Sequence, residues 1–291
     1  MKMHPGTLAI TLCSIGLCLS SAIAETGVDR TKLPKPAEST VWAPPNVDTW
    51  TTSNGMTVWF LRQDQAPLVS LSMVMGQGAA TDPKGKAGLT NVMVDMLDEG
   101  AGDRDALTLS EAFQRLATDY GASASTDGIR IEMNMLSENL MPSLALLGDV
   151  LRRPQFPKTE FERRKAQHIA MALTAEASLG QTAFALVRRV LYGQGYASQP
   201  TTGFQDTLKR ITLEDVKAQY EALIRPGGAK IIVVGSVARG ALESALEKHL
   251  GGWSGTPSAP ESEVTQNAQP PGIQVVDFPG SAQSFVVMAR R

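Results

Sequence analysis

Asn91 and Asp95 stand four residues apart in the segment Gly88–Gly100, which reads GLTNVMVDMLDEG. On a helix, side chains at i and i+4 share a face, so this spacing could offer two ligands to one metal. A hydrolytic zinc needs three protein ligands, His or carboxylate, and an open position for water. The residue types do not meet that need. Asn91 offers a neutral amide, Asp95 is a lone carboxylate, and Val94 beside it accepts no proton. The pair reads instead as a polar stripe on a buried helix, solvated or capping a neighbouring loop. No catalytic, metal-binding or cofactor-binding residue is assigned to this chain, and no cofactor is expected on it.

Other chemistries find no better footing. Beyond the first 24 residues the only histidines are His168 and His249, and neither has a second His at i+3 or i+4. Both are expected at the surface. A metal site joining His168 to Asp95 in some other geometry stays open as the weaker alternative. No Gly-x-Ser-x-Gly elbow positions a nucleophile, and no Walker A lysine motif is present. Gly76-x-Gly78 lacks the third glycine of a dinucleotide loop and precedes a loop, so it reads as tight backbone packing. Arg163, Arg164 and Lys165 form a basic run. The expectation is a solvated helix face with Glu160 and Arg164 paired at i,i+4; a basic rim on a peptide chamber is the alternative.

A chain of 291 residues, 43% hydrophobic and 19% charged, suffices for one large domain or two modest ones. A formal charge of −2 and a pI near 6.0 give no electrostatic reason to expect nucleic acid or an anionic membrane as partner. The N-terminus reads as a secretory signal peptide over residues 1–24. Lys2 supplies the positive n-region, Leu8–Leu19 the apolar h-region, and Ala22-Ile23-Ala24 the small-x-small cleavage site. A periplasmic or secreted protein beginning at Glu25 is expected, with no membrane association after cleavage. Cys13 and Cys18 both lie in the segment expected to be removed, which rules out disulfides and Cys-ligated zinc in the mature chain.

The elements that must position these residues follow from periodicity and punctuation. Residues 25–46, with Pro34, Pro36, Pro44 and Pro45, read as an extended leader. Asn54-Gly55 between two β-prone runs predicts a hairpin, and Leu68–Met75 a further strand. Leu89, Val92, Met93, Met96 and Leu97 fall on one helical face over residues 88–99. A second helix is predicted over Ser110–Tyr120 with Gly121 as its C-cap. A β-pair over Ala122–Thr126 and Ile129–Leu136 then turns at Asp127-Gly128. Helices are predicted over Glu138–Arg152, Lys158–Ala177, Thr182–Tyr192, Leu213–Leu223 and Leu242–Leu250, with a strand at Lys230–Val234 before the last. The fold class is α+β, one antiparallel sheet covered by helices. Residues 252–271 read as a linker, after which Ile273–Asp277 and Ser284–Met288 begin new strands.

In this order, the segments resemble the insulinase/pitrilysin family of zinc metallopeptidases, which includes the mitochondrial processing peptidases. Asn54-Gly55-Met56-Thr57-Val58 is similar to the family's opening hairpin, and Gly76–Leu89 to the glycine-rich approach to its active-site helix. Leu136-Ser137-Glu138-Asn139-Leu140, Arg153-Pro154-Gln155-Phe156-Pro157, Leu191-Tyr192-Gly193 and Ala229–Gly235 resemble later landmarks. The resemblance implies two similar halves closing around an unfolded peptide. Residues 47–251 would form the first half, and residues 272–291 the opening strands of a truncated second. The family's active-site helix reads Gly-Leu-x-His-x-x-Glu-His, and its two zinc-binding His and its catalytic Glu fall here on Asn91, Asp95 and Val94. The third family ligand, a Glu on a later helix, falls near His168–Ala170, where no Glu stands in register. Restoring the motif with Asn91→His, Val94→Glu and Asp95→His is therefore expected to rescue little.

The resemblance implies a catalytically silent sister subunit. Its partner would be a homologous zinc peptidase bearing the intact motif and the zinc, and its substrates unfolded peptides in the periplasm. Two alternatives stay open: a peptide-binding or structural scaffold with no enzyme attached, and a peptidase with an atypical metal site.

Overall fold

Gly55 takes φ 86°, the left-handed geometry that an Asn-Gly hairpin turn needs. The turn joins β1 (Asp48–Thr51) to β2 (Thr57–Arg62). The computed structural model describes residues 43–193, 195–258 and 272–290. The expected signal peptide, nearly all of the leader and residues 259–271 of the linker lie outside the described residues. After β2 come β3 (Leu68–Met75), α1 (Leu89–Asp95), a small hairpin of β4 (Gly100–Ala101) and β5 (Arg104–Asp105), and α2 (Ala106–Arg115). Then follow β6 (Asp119–Ala124), β7 (Ile129–Leu136), α3 (Leu140–Arg152), α4 (Lys158–Glu176) and α5 (Leu179–Tyr192). The short α6 (Gln205–Lys209), α7 (Leu213–Leu223), β8 (Lys230–Gly235) and α8 (Arg239–Leu250) complete the order.

Six strands form one sheet in the order β1-β2-β8-β3-β7-β6. The α+β class holds, with one amendment to the antiparallel sheet: β2 and β8 run parallel. Topology forces this. β2 and β3 are consecutive and run in opposite directions, so a strand slotted between them must be parallel to one; β8 is antiparallel to β3. Along β3 and β7 alternate side chains point inward, and Val69, Leu71, Met73 and Met75 meet Ile129, Ile131, Met133 and Met135, all at most 2% exposed. Leu89, Val92, Met93, Leu144, Leu147, Val216 and Leu246 complete the same core. The opposite face of the sheet is largely polar over β3 and β7, where Ser70 bonds Asn134 and Arg130 pairs with Glu132.

Two expectations fail locally. The second helix stops at Arg115, not Tyr120, because Ala117 adopts φ 46°. The Ala117 N–H then donates to the Gln114 carbonyl and the Thr118 N–H to that of Phe113, a Schellman closure with alanine where glycine is usual. Gly121 is consequently mid-strand in β6. Ile273–Asp277 and Ser284–Met288 form no strands. A strand is defined by its ladder, and no described segment pairs with them; Ile273 and Met288 are 92% and 95% exposed. Among the described residues no single helix is long and apolar enough to cross a membrane.

Candidate functional site

The start of α1 is fixed from three sides. Gly88 sits at φ 97°, and a Cβ there would lie 2.9 Å from the Thr202 carbonyl oxygen, so the chain needs glycine for conformation and for space. Gly78 is likewise closed in, since a Cβ would lie 2.4 Å from the Ser125 carbonyl oxygen, whereas a Cβ on Gly76 would meet nothing within 4 Å, so tight packing accounts for Gly78 and not for Gly76. Asp82 takes over capping: its carboxylate accepts from the N–H groups of Gly88 and Thr90, at 2.8 and 2.9 Å, and from the Thr90 hydroxyl. Burial pushes the Asp82 pKa up to about 6 against the opposing effect of these hydrogen bonds. From α7, the Gln219 side-chain amide donates to the hydroxyls of Thr81 and Thr90, both at 2.9 Å. Nothing in the sequence distinguishes Asp82 or Gln219 from any loop Asp or helical Gln.

Along α1 the three motif positions have three fates. The Asn91 amide donates to the Thr201 carbonyl at 2.7 Å, tying the helix to the loop after α5. Val94 is 1% exposed and part of the core. Asp95 Oδ2 lies 2.8 Å from Nε2 of His168 on α4. His168 is therefore not the surface residue expected; it lies on the inward face of α4 and is 5% exposed. His249 is half-buried, and desolvation lowers its pKa below the usual imidazole range.

Just past α1 the electrostatics are dense. Glu99 is 3% exposed and is held by Arg163 Nη2 at 2.6 Å and by Arg164 Nε. The basic run on α4 is thus neither a merely solvated face nor a free rim. Two of its cations neutralise a buried carboxylate, and Glu160 pairs with Arg163, not with Arg164. Lys165 donates to the carbonyls of Lys209 and Ile211. Asp98 is raised above its ordinary pKa by burial. The Tyr120 hydroxyl is buried without a hydrogen-bond partner among the described residues. Burial first, then the charges of Asp98 and Asp95, hold its pKa well above the ordinary phenol value.

The side chains at these positions do not have the donor chemistry that a zinc ion needs. Asp95 and His168 supply two groups, Asn91 is spent on a backbone carbonyl, and Val94 leaves no base. Among the described residues no group of three His, Cys, Asp or Glu side chains is placed to hold a metal.

A family profile described as "Insulinase (Peptidase family M16)" matches residues 58–202, and one described as "Peptidase M16 inactive domain" matches residues 210–291. The chain belongs to the insulinase family, peptidase family M16. Among M16 relatives, it is 21% identical over 168 residues to a Helicobacter pylori protein named "Non-peptidase homolog YmxG", covering 58% of this chain and 38% of that one. It is also 19% identical over 204 residues to a Bacillus subtilis protein named "Uncharacterized zinc protease YmxG", covering 70% and 50%. The M16 chain therefore spans half or less of the length of these curated relatives. A solved M16 inactive-domain structure from Pseudomonas fluorescens superposes with TM-score 0.70 at 25% identity, covering 75% of this chain and 53% of that one. The periplasmic protease PqqL of Escherichia coli superposes at TM-score 0.68 and 16% identity, covering 78% and 26%, which is a likeness of fold alone.

Proposed function

We propose that this chain is a catalytically silent M16 subunit that completes a peptide chamber for a homologous, motif-bearing zinc peptidase, exported to the periplasm. The reading rests on one observation: every side chain at the motif positions is committed to holding the protein together. Asn91 is bonded to Thr201, Val94 is in the core and Asp95 is bonded to His168. The names borne by its relatives, one a non-peptidase homologue and others zinc proteases, support a lineage in which the fold outlives the chemistry. Zinc and its hydroxide would belong to the partner, while this chain would supply wall and orientation. The deciding experiment is co-expression with a motif-bearing M16 homologue from the same genome, assaying cleavage of an unfolded peptide with and without this chain. Stimulation is expected. Identical rates, together with no co-purification, would end the proposal.

One feature supports a scaffold that binds peptide without any enzyme. Strand β6 is the terminal strand of the sheet, so its outer edge offers main-chain groups for strand addition. Peptide binding by the isolated chain, undiminished where no partner is present, would favour that reading.

A further inference from the structure

Helix α5 is made largely of apolar residues, yet none of its side chains is fully buried: most are half-buried, and Phe184 and Tyr192 are exposed. An amphipathic helix of a globular domain ordinarily covers its apolar stripe, and a contiguous exposed apolar patch marks an interaction site. Phe184 is 57% exposed, and Met171 and Leu173, near the end of α4, are 58% and 56% exposed. The two helices meet at a bend of 91°. At that corner opens a hollow of about 310 Å³ lined by Ala170, Met171, Thr174, Ala175 and Gln181.

One segment of this chain already lies against α5. Phe285, from the unpaired Ser284–Met288 segment, meets Phe184 edge to face, with centroids 5.9 Å apart and planes at 69°, and its ring lies alongside Gly180. Such aromatic pairs are favourable beyond their buried area. Phe285 is 47% exposed, and the rest of the segment makes less use of the helix: Val286 and Met288 are 85% and 95% exposed. We propose that the exposed face of α5 is a seat for an extended apolar peptide anchored by one aromatic side chain, and that residues 284–288 occupy it in cis. The inference rests on the peptide-handling reading above and adds where, and through which side chain, a peptide is held. A tethered occupant acts at an effective concentration in the millimolar range, so it would compete with any peptide arriving from solution.

The probe is a fluorescein-labelled decapeptide copying residues 281–290, titrated by anisotropy against the full chain. Phe285→Ser should vacate the seat and tighten binding by about threefold or more relative to wild type. Adding Phe184→Ser should then weaken it by about tenfold, and a probe with Ser in place of its Phe should fail to bind. Equal affinity for all variants overturns the proposal. So does sedimentation showing a dimer that Phe184→Ser dissolves, which would assign the face to a second copy. Should Phe184→Ser unfold the chain, hydrogen exchange on the Phe285→Ser variant gives the answer: the probe must slow exchange within α5, and no protection there overturns the idea. Stimulation of a partner enzyme is measured separately and could persist if α5 proves bare, so the two readings fail independently.

Discussion

Nε2 of His168 lies 2.8 Å from Oδ2 of Asp95, so one side-chain hydrogen bond joins α4 to α1 across 73 residues of chain. The His ring is 6% exposed and the carboxylate 37%. Removing the ring leaves a partly solvated carboxylate, which water can satisfy, and a small cavity, which nothing fills. His168→Ala is expected to destabilise the fold by roughly 1–3 kcal/mol, combining the lost hydrogen bond with the cavity. Urea unfolding would measure it, and a change within a few tenths of a kcal/mol would show that the pair does not clasp the helices.

Glu99 and its two arginines should respond asymmetrically. Arg163→Met with Arg164→Met leaves a carboxylate that is 4% exposed with neither cation, a loss of about 3–5 kcal/mol. Glu99→Gln instead frees guanidinium groups that are 45% and 30% exposed and already reach solvent. Its cost should be clearly smaller, about 1–2 kcal/mol. Equal destabilisation by the two variants would contradict the buried-carboxylate account.

Asp82 predicts a pH dependence with a definite sign. Its pKa is about 6 in the folded chain against 3.8 for the free side chain, so the folded state binds the proton more tightly. The stability linked to this group is full below the unfolded value and is lost as pH rises through the folded one. The difference in unfolding free energy between wild type and Asp82→Asn should therefore fall by about 3 kcal/mol between pH 3.5 and pH 7. A pH-independent difference would mean that the three hydrogen bonds to Gly88 and Thr90 cancel the effect of desolvation, and a difference that rises with pH would mean that they outweigh it.

Much of the frame was legible because the apolar pattern was strong. The Leu213–Leu223 helix has its bounds as read, and Ile129–Leu136 alternates inward and outward along its whole length. What escaped the sequence was decided by contacts distant in the chain. The parallel β2–β8 pair follows from strand order, which no local window carries. The end of α2 rests on an alanine doing a glycine's job at Ala117. The partnership of Glu99 with Arg163 and Arg164 spans 64 and 65 residues, so the basic run looked solvated when read by itself. His168 escaped for the same reason: on a helix with little net amphipathicity, nothing marks which polar residue faces inward.

The position of His168 bears on repair of the motif. From sequence, Asn91→His, Val94→Glu and Asp95→His together lack a third ligand. The structure places His168 against residue 95, on the helix where the family carries that ligand. Histidines introduced at 91 and 95 would share the face of α1 that His168 already meets, and three imidazoles suffice for a tetrahedral zinc with one open position. The triple variant is expected to bind close to one equivalent of zinc, measured by metal analysis after dialysis. Adding His168→Ala should lower the affinity at least about tenfold. Zinc retention by the triple variant with His168 removed would show that another residue holds the metal. Failure of the triple variant to bind zinc at all, while still folded, would show that the Asp95–His168 contact does not mark the place of the third ligand.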